Sequence, residues 1–484
     1  MKPKSVFVFL VVLAALRCGW VALQPIAPQE AYFWMCSERM APAFFDGPAG
    51  TASWVRAFDF FGFPALAAAR ISWPILALAA GGLAWLLARN IYDRAVAAWV
   101  VVVLNALPVF NTNAMTVGPA MPSLVFVLAG VWMARLAWDG RGIFWGASGV
   151  CFALATGFCY EAVLVPAGLV AVLLAFPRHR DKSDFAGLAL VVFLVVLALW
   201  GPMAWNASLE WIPVVGGTLR TAWAFRPAGF AERLWDFLRV FSVPAGLFLL
   251  VGFGWMVREA RQHVRPRFLL AVCGPAWLWW LYCALRGEAG GSAVFLGVVP
   301  AVIFLLAEGR KFSWAASAAS FVVIIALLAS GVALWKEARG RVGWSVLARE
   351  FQSSEREIPA GDKKGVLIAE SPDLAAVLGY HPGGGRRAVS PLVFIPESPN
   401  ISSQFGLWPS YADFVGSPKI ADEYFTEQKG INPFIGCSAL FLGAELPQTI
   451  KGAFSSVSPL RRIRLPDGRT FTIFLCRDYQ TLPL

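Results

Sequence analysis

The chain has 484 residues, of which 58% are hydrophobic and only 15% are charged. A soluble globular protein typically carries about 25% charged residues, so this composition excludes a wholly soluble protein. The net charge of +11 does not indicate nucleic-acid binding, because no soluble basic domain is present to carry it. The sequence therefore predicts a membrane protein.

Apolar segments fill the chain from residue 5 to about residue 335. A transmembrane helix needs roughly 20 residues, so we predict about eleven spans. The first could be a signal peptide, but Arg17 interrupts it and no small-x-small cleavage site precedes the polar stretch, which favours a retained helix. The weakest pair lies within 143–176, where one long kinked helix is the alternative. The predicted spans are 5–23, 71–88, 95–112, 118–138, 143–158, 160–176, 186–205, 240–257, 268–285, 292–308 and 313–335.

Positive residues in short loops mark the cytoplasmic side of a membrane protein. With about eleven spans, the basic loops all fall on one side, which places the N-terminus in the cytoplasm. The other side then holds residues 24–70, residues 206–239 and the tail from about Lys336. The basic residues are Lys2, Lys4, Arg89, Arg94, Arg141, Arg178, Arg180, Lys182, Arg258, Arg261, Arg265, Arg267, Arg310 and Lys311.

The tail changes character at about Val342. Apolar runs predict buried strands, and a Ser-Pro start predicts a short helix from Asp373 to Leu378. Alternating strands and helices favour a small α/β domain. We predict a membrane module of residues 1–340, with outer loops 24–70 and 206–239, and an α/β domain of residues 341–484. The strand predictions begin at Gly365, Ala388, Cys437 and Thr470.

Of the eight cysteines, six lie in or near the membrane part, where they suit small buried apolar positions. Cys437 and Cys476 lie in the tail, where they could either pair in an oxidising compartment or remain reduced. No metal-ligand spacing, phosphate-binding glycine loop or nucleophile elbow is present in the sequence.

Several short motifs stand in the order found in one enzyme family. They are PQEAYFW at 28–34, FDGP at 45–48, ATGFCY at 155–160, GPMAWNA at 201–207, LRG at 285–287 and SQFGLWP at 403–409. In these motifs the chain resembles the polyprenyl-phosphate-sugar-dependent glycosyltransferases, the group that includes protein O-mannosyltransferases and lipid A aminoarabinose transferases. The resemblance implies a multi-pass α-helical membrane protein of the GT-C fold, with a small C-terminal periplasmic domain.

The resemblance also implies the reaction, in which a sugar moves from a lipid phosphate to an acceptor hydroxyl or phosphate. The catalytic aspartate of the family pattern Pro-Asp-Glu-Ala-Tyr-Tyr-Trp is replaced by Gln29, and an amide cannot act as a base. The family's Thr-Pro-Asp segment is replaced by TVGP at 116–119, and its lysine before tyrosine is replaced by Cys159. The catalytic motif is therefore degenerate.

Glu30 and Asp46 are the remaining candidates for the catalytic base, provided that one comes within about 3 Å of the acceptor. The alternative for Glu30 is a structural carboxylate that caps a loop or a helix. Glu161 could serve a function within the membrane or simply lie in a short loop.

Guanidinium groups bind phosphate in a bidentate manner, which makes outer arginines candidates for the donor site. Interfacial snorkelling is the alternative for Arg220 and Arg226, and a helix-end anchor is the alternative for Trp205 and Asn206. The predicted substrate-binding residues are Gln29, Arg70, Tyr160, Trp205, Asn206, Arg220, Arg226 and Arg286.

The sequence thus predicts a membrane glycosyltransferase of the bacterial inner membrane. It would move a sugar from a polyprenyl-phosphate donor to an envelope acceptor, in contact with membrane lipids and without nucleic acid. The resemblance implies no cofactor and no divalent metal ion. One alternative is a catalytically impaired relative that binds lipid-linked sugar or partners an active homologue. Another is an unrelated transporter, although transporters usually show internal repeats and none is evident in the sequence.

Overall fold

The computed structural model describes residues 3–175, 182–213, 227–287, 291–313, 315–355, 358, 366–380, 393–396, 401–408, 411, 434–466 and 468–480. Contacts divide the chain into two compact units. The first comprises 1–23, 47–210 and 218–335, and the second comprises 24–46, 211–217 and 336–484. The predicted domain boundary near residue 340 lies close to the division at residue 335, but residues 24–46 and 211–217 also belong to the second unit.

The first unit is helical, and most of its helices overlap the predicted spans, whereas Gly50–Phe60 and Pro227–Phe241 lie in segments predicted to be outer loops. The helices are Pro3–Leu23, Gly50–Phe60, Ala65–Ile91, Arg94–Ala106, Pro108–Met115, Ala120–Trp138, Phe144–Phe158, Leu164–Ala175, Lys182–Ser208, Pro227–Phe241, Val243–Glu259, Val264–Leu285 and Gly291–Gly309. A 3-10 turn, Tyr160–Val163, precedes Leu164–Ala175. The helix Ala315–Glu355 begins in the first unit and continues into the second.

Among the described residues, six helices are long and apolar enough to cross a membrane, and up to eight spans result if each of two bent pairs counts as one. Three shorter apolar helices, Phe144–Phe158, Tyr160–Ala171 and Ala293–Gly309, coincide with further predicted spans. The multi-pass helical fold is confirmed, whereas the predicted number of about eleven crossings stays a prediction.

The predicted span 95–112 is not one continuous helix. It is broken at Leu107, where Arg94–Ala106 and Pro108–Met115 meet at 68°. Pro108 has no backbone N–H to donate, and it disfavours helical geometry at the residue before it, so Leu107 is extended. The sequence prediction missed this break because hydropathy is continuous across it.

A buried polar network compensates for the break. Arg17 Nη2 donates to Asn105 Oδ1 at 2.9 Å and to Asn111 Oδ1 at 2.7 Å. Asn111 Nδ2 donates to the carbonyl oxygens of Asn105 and Leu107, and Ser330 Oγ donates to the carbonyl of Ala106. Backbone groups freed within a bilayer need partners from the protein, and these side chains supply them. Arg17 therefore has a structural role in the first helix.

We expect Arg17→Met to destabilise the protein by about 1–3 kcal/mol, because two buried amide oxygens lose their charged donor. Thermal unfolding in detergent measures this effect. Arg89→Met is the matched control, since Arg89 lies in the last turn of its helix and stacks on Trp85. Equal unfolding midpoints for the two variants would contradict the role assigned to Arg17.

Three basic loops predicted to share one side lie together at one end of the first unit. Arg310 Nη1 pairs with Asp93 Oδ2 at 2.5 Å, which joins two of these loops. The Arg265 guanidinium lies 5.5 Å from the Tyr92 ring centre, which adds the third. The grouping of these loops agrees with the charge pattern, and the side of the membrane that they face stays a prediction.

The second unit contains a five-stranded mixed sheet, and this small α/β domain is confirmed. In spatial order its strands are Val393–Phe394, Val366–Ala369, Ala439–Gly443, Thr470–Tyr479 and Phe454–Arg464. The first three strands pair in parallel. Thr470–Tyr479 pairs antiparallel with both of its neighbours, Ala439–Gly443 and Phe454–Arg464. The strand Phe454–Arg464 was not predicted. Helices of this unit are Pro28–Glu38, Pro372–Gly379, Gln404–Leu407 and Gln448–Ala453.

Both faces of this sheet are covered, and the alternation along its strands assigns each side chain to one face. Leu367 and Ala369 contribute to one core, together with Met35 and Leu347. Val366 and Ile368 contribute to the other, which also contains Cys437 and Cys476. Burial on both faces explains why these strands read as continuous apolar runs.

Cys437 and Cys476 are both buried, and both are free in the structure. Desolvation raises the pKa of the Cys476 thiol to about 12, so the free cysteine is a protonated thiol and not a thiolate. Whether the two cysteines pair in an oxidising compartment stays open.

Candidate functional site

The helix Pro28–Glu38 carries the first family motif, and a buried carboxylate fixes its start. Pro28 occupies a first-turn position where its missing N–H costs no intrahelical hydrogen bond. The backbone N–H of Ala27 donates to Glu30 Oε2 at 3.0 Å, so the glutamate caps the helix. Gln29, the neighbouring residue, is exposed.

Glu30 is fully buried and paired with Arg341. Arg341 Nη1 donates to Glu30 Oε2 at 2.8 Å, and Arg341 is only 5% exposed on its side chain. To accept a proton from a substrate, Glu30 would have to leave this guanidinium and the backbone N–H of Ala27. The geometry favours the structural alternative for Glu30, and its catalytic role stays a prediction.

Asp46 lies in a different environment, because its side chain is exposed. The protein around it nevertheless desolvates the carboxyl, and this raises its pKa above the usual range. The charge of Asp373 raises the pKa further, whereas the Tyr32 hydroxyl lowers it. An accessible carboxyl with a raised pKa suits general base catalysis.

The tail motif packs against the first outer segment within the second unit. Gln404 Oε1 accepts a hydrogen bond of 2.7 Å from the backbone N–H of Phe45, the residue before Asp46. The Phe405 ring lies 6.4 Å from that of Tyr32. The Arg39 guanidinium lies 4.7 Å from the Trp408 ring centre. Motifs almost 360 residues apart in the chain therefore build one site around Asp46.

Two predicted substrate-binding residues of the first unit also come together. Asn206 Nδ2 donates to the Pro202 carbonyl at 2.8 Å and lies 3.5 Å from Tyr160 Oη. Asn206 Oδ1 is buried and has no partner among the described residues. The neighbouring Trp205 is half-buried. The amide thus keeps one acceptor unused beside a tyrosine hydroxyl.

Of the four arginines predicted to bind substrate, two lie within the described residues. Arg286 is 6% exposed and donates from Nη1 to Tyr282 Oη at 2.8 Å. Arg70 is half-buried near the start of Ala65–Ile91. Arg220 and Arg226 lie outside the described residues. Their proposed contacts with phosphate stay predictions.

The first unit also contains an apolar groove with a volume of about 580 Å³. Helices Gly50–Phe60, Ala120–Trp138, Phe144–Phe158 and Lys182–Ser208 line it. Its lining residues are Gly50, Ser53, Trp54, Ala57, Phe126, Val150, Ala153, Leu154, Gly157, Phe158, Leu194, Leu197 and Ala198. Ser53 supplies the one side-chain hydroxyl, so the groove suits a hydrocarbon chain.

Sequence reasoning missed Tyr32, Asp373, Gln404 and Arg341 as members of the candidate site. Gln404 and Tyr32 each lie in a recognised family motif, which could have identified them as members of the site. No recognised motif contains Asp373 or Arg341. Within the described ranges, no three His, Cys, Asp or Glu side chains are grouped closely enough to hold a metal ion.

Over 98% of its length, the chain superposes on 98% of ArnT from Cupriavidus metallidurans bound to undecaprenyl phosphate, with a TM-score of 0.63 and 11% identity. The chain has the GT-C glycosyltransferase fold. The apo form of the same ArnT gives a TM-score of 0.62 at 12% identity, again over 98% of both chains.

A second GT-C structure is the oligosaccharyltransferase of Archaeoglobus fulgidus, with a TM-score of 0.50 and 12% identity over 90% of this chain and 69% of that one. In sequence, residues 52–204 match the family described as dolichyl-phosphate-mannose-protein mannosyltransferase. No curated protein matches the chain significantly. The GT-C fold expected from the short motifs is therefore confirmed.

Proposed function

We propose that the protein is a membrane glycosyltransferase that moves a sugar from a polyprenyl-phosphate donor to an acceptor of the bacterial cell envelope. The observation that carries the proposal is an accessible carboxyl, Asp46, built into the first outer segment of a GT-C fold. The similar ArnT binds undecaprenyl phosphate, which supports a polyprenyl-phosphate donor here. The apolar groove offers space for part of such a chain.

In the proposed reaction, Asp46 takes the proton of the acceptor hydroxyl. The acceptor oxygen then forms a bond to the anomeric carbon of the sugar, and the bond from that carbon to the lipid phosphate breaks. The polyprenyl phosphate leaves with the electron pair. Cationic groups must stabilise its charge, and the arginines predicted for this role remain candidates. A phosphate is already a good leaving group, so the proposal invokes no metal ion.

A second candidate function is binding without transfer. The observation that favours it is Gln29, which stands exposed where the family resemblance places the catalytic aspartate. The purified protein, incubated with radiolabelled polyprenyl-phosphate sugars and envelope acceptors, distinguishes the two functions. Transfer of label supports the enzyme, whereas retained donor binding without transfer supports the binding protein.

The proposed orientation places the N-terminus in the cytoplasm and the second unit in the periplasm. The basic loops joined by Arg310 and Asp93 support it, since positive loops stay in the cytoplasm. We expect a thiol reagent that cannot cross the membrane to label a cysteine introduced at exposed Arg462, but not one at exposed Arg261, in intact spheroplasts. The opposite labelling pattern would reverse the orientation.

A further inference from the structure

We propose that Arg341 is a positioning residue, which fixes the first outer segment through Glu30 and thereby places Asp46 for the reaction. The inference rests on the proposed function, because it names a residue that acts on the same site. Arg341 belongs to no motif recognised in the sequence, and its role in the proposal is to hold Glu30 rather than to meet the substrate.

The guanidinium of Arg341 binds Glu30, Pro25 and Glu337. Nη1 donates to Glu30 Oε2 at 2.8 Å and to the Pro25 carbonyl at 3.1 Å. Nη2 and Nε donate to Glu337 Oε1 at 2.6 and 3.1 Å. Glu337 lies one helical turn before Arg341, so it holds the guanidinium in one orientation on the long helix. The other two contacts then fix the chain from Pro25 to Glu30 against that helix.

The burial of this cluster makes its geometry specific. Glu30 is fully buried and Arg341 is almost so. A buried ion pair contributes little net stability compared with apolar residues of similar size, because both charges lose their hydration. A buried ion pair nevertheless tolerates only one relative position of its two side chains, since displacing one of them leaves the other charge buried and unpaired. The cluster is therefore suited to fixing a position.

The helix that contains Glu30, Pro28–Glu38, transmits this position to the candidate site. Tyr32 lies two residues later on Pro28–Glu38 and is close enough to Asp46 to alter its pKa. Met35 on the same helix packs in the core that includes Leu374 of Pro372–Gly379, the helix that carries Asp373. A displaced Pro28–Glu38 would therefore change both groups that act on Asp46. Displacements near 1 Å can cost about 100-fold in rate.

A double-mutant cycle tests the proposal on the full-length protein in detergent, with wild type, Glu30→Gln, Arg341→Met and the double variant. We expect Arg341→Met to lower kcat by roughly 10-fold or more with little change in donor KM, because it leaves a buried carboxylate unpaired and displaces the segment. Glu30→Gln added to Arg341→Met should recover most of the lost kcat, since the amide needs no counter-charge.

Rescue separates positioning from catalysis. If Glu30 were the base, Glu30→Gln would abolish transfer in both backgrounds and could not rescue Arg341→Met. Arg349→Met is the control, because Arg349 lies on the same helix, is exposed and, among the described residues, donates only to the Ser345 carbonyl in its own helix. A loss of kcat in Arg349→Met equal to that of Arg341→Met would overturn the proposal.

A second measurement keeps the proposal testable if the protein transfers no sugar. Hydrogen exchange of residues 24–46 should increase in Arg341→Met and return towards the wild-type level in the double variant. Unchanged exchange in Arg341→Met overturns the positioning role. Absence of transfer by wild type, together with the expected exchange pattern, overturns the proposed function alone.

Discussion

Replacing Asp46 with asparagine is expected to lower the rate of sugar transfer by about 10²–10⁴-fold, the usual contribution of a general base. Asparagine keeps the size of the side chain and removes its ability to take a proton. Initial rates with radiolabelled donor measure the effect. Asp478→Asn is the control, because Asp478 is an exposed carboxylate on the last strand of the same unit.

The pH profile should identify Asp46 independently. A base must be ionised, so kcat/KM falls as the pH drops below the pKa of Asp46, which is raised mainly because the surrounding protein desolvates the carboxyl. Asp373→Asn removes a nearby negative charge, which favours ionisation of Asp46. We therefore expect this variant to shift the acidic limb of the profile to lower pH. An unmoved acidic limb, or wild-type turnover in Asp46→Asn, would show that another group is the base.

Substitution of Gly157 by leucine is expected to raise the KM for a long-chain polyprenyl-phosphate donor by roughly 10-fold, because it displaces buried methylene groups that contribute about 0.8 kcal/mol each. Gly157 lines the groove, and a Cβ added there meets no atom within 4 Å. The new side chain therefore enters the groove without disturbing the backbone. Helix stability should not suffer, since glycine is the weaker helix former.

Donor length provides the internal test of the groove. A donor too short to fill the groove should keep its KM in Gly157→Leu, so the penalty should appear only with longer chains. Gly331→Leu is the matched control, since Gly331 is exposed in another long apolar helix and an added Cβ also meets no atom within 4 Å. An equal KM change for short and long donors would place the lipid chain elsewhere.

Local sequence was sufficient for most of the membrane part. The predicted spans 118–138 and 143–158 correspond to Ala120–Trp138 and Phe144–Phe158. Their positions follow from the minimum length of apolar helix that a bilayer requires. The break at Leu107 was not predicted from hydropathy, although Pro108 supplied a signal that could have been used.

In the tail, the strands buried on both faces were predicted, and one of the two edge strands, Phe454–Arg464, was missed. Val366–Ala369 and Ala439–Gly443 are apolar at every position or nearly so, which is the pattern of a strand covered on both sides. Phe454–Arg464 contains several serines and arginines, and also Pro459 at an irregularity in its pairing. An edge strand tolerates such residues because one side of it has no neighbour.

The membrane class, the positions of most helices and the motif that contains Asp46 follow from the amino-acid sequence alone. These properties depend on hydrophobicity and on residue types along a short stretch of chain. The folded chain was needed to show that Glu30 is held by Arg341, 311 residues away, and that Gln404 fixes the backbone before Asp46. The state of a carboxylate depends on its burial and its charged neighbours, and folding brings those neighbours from distant parts of the chain.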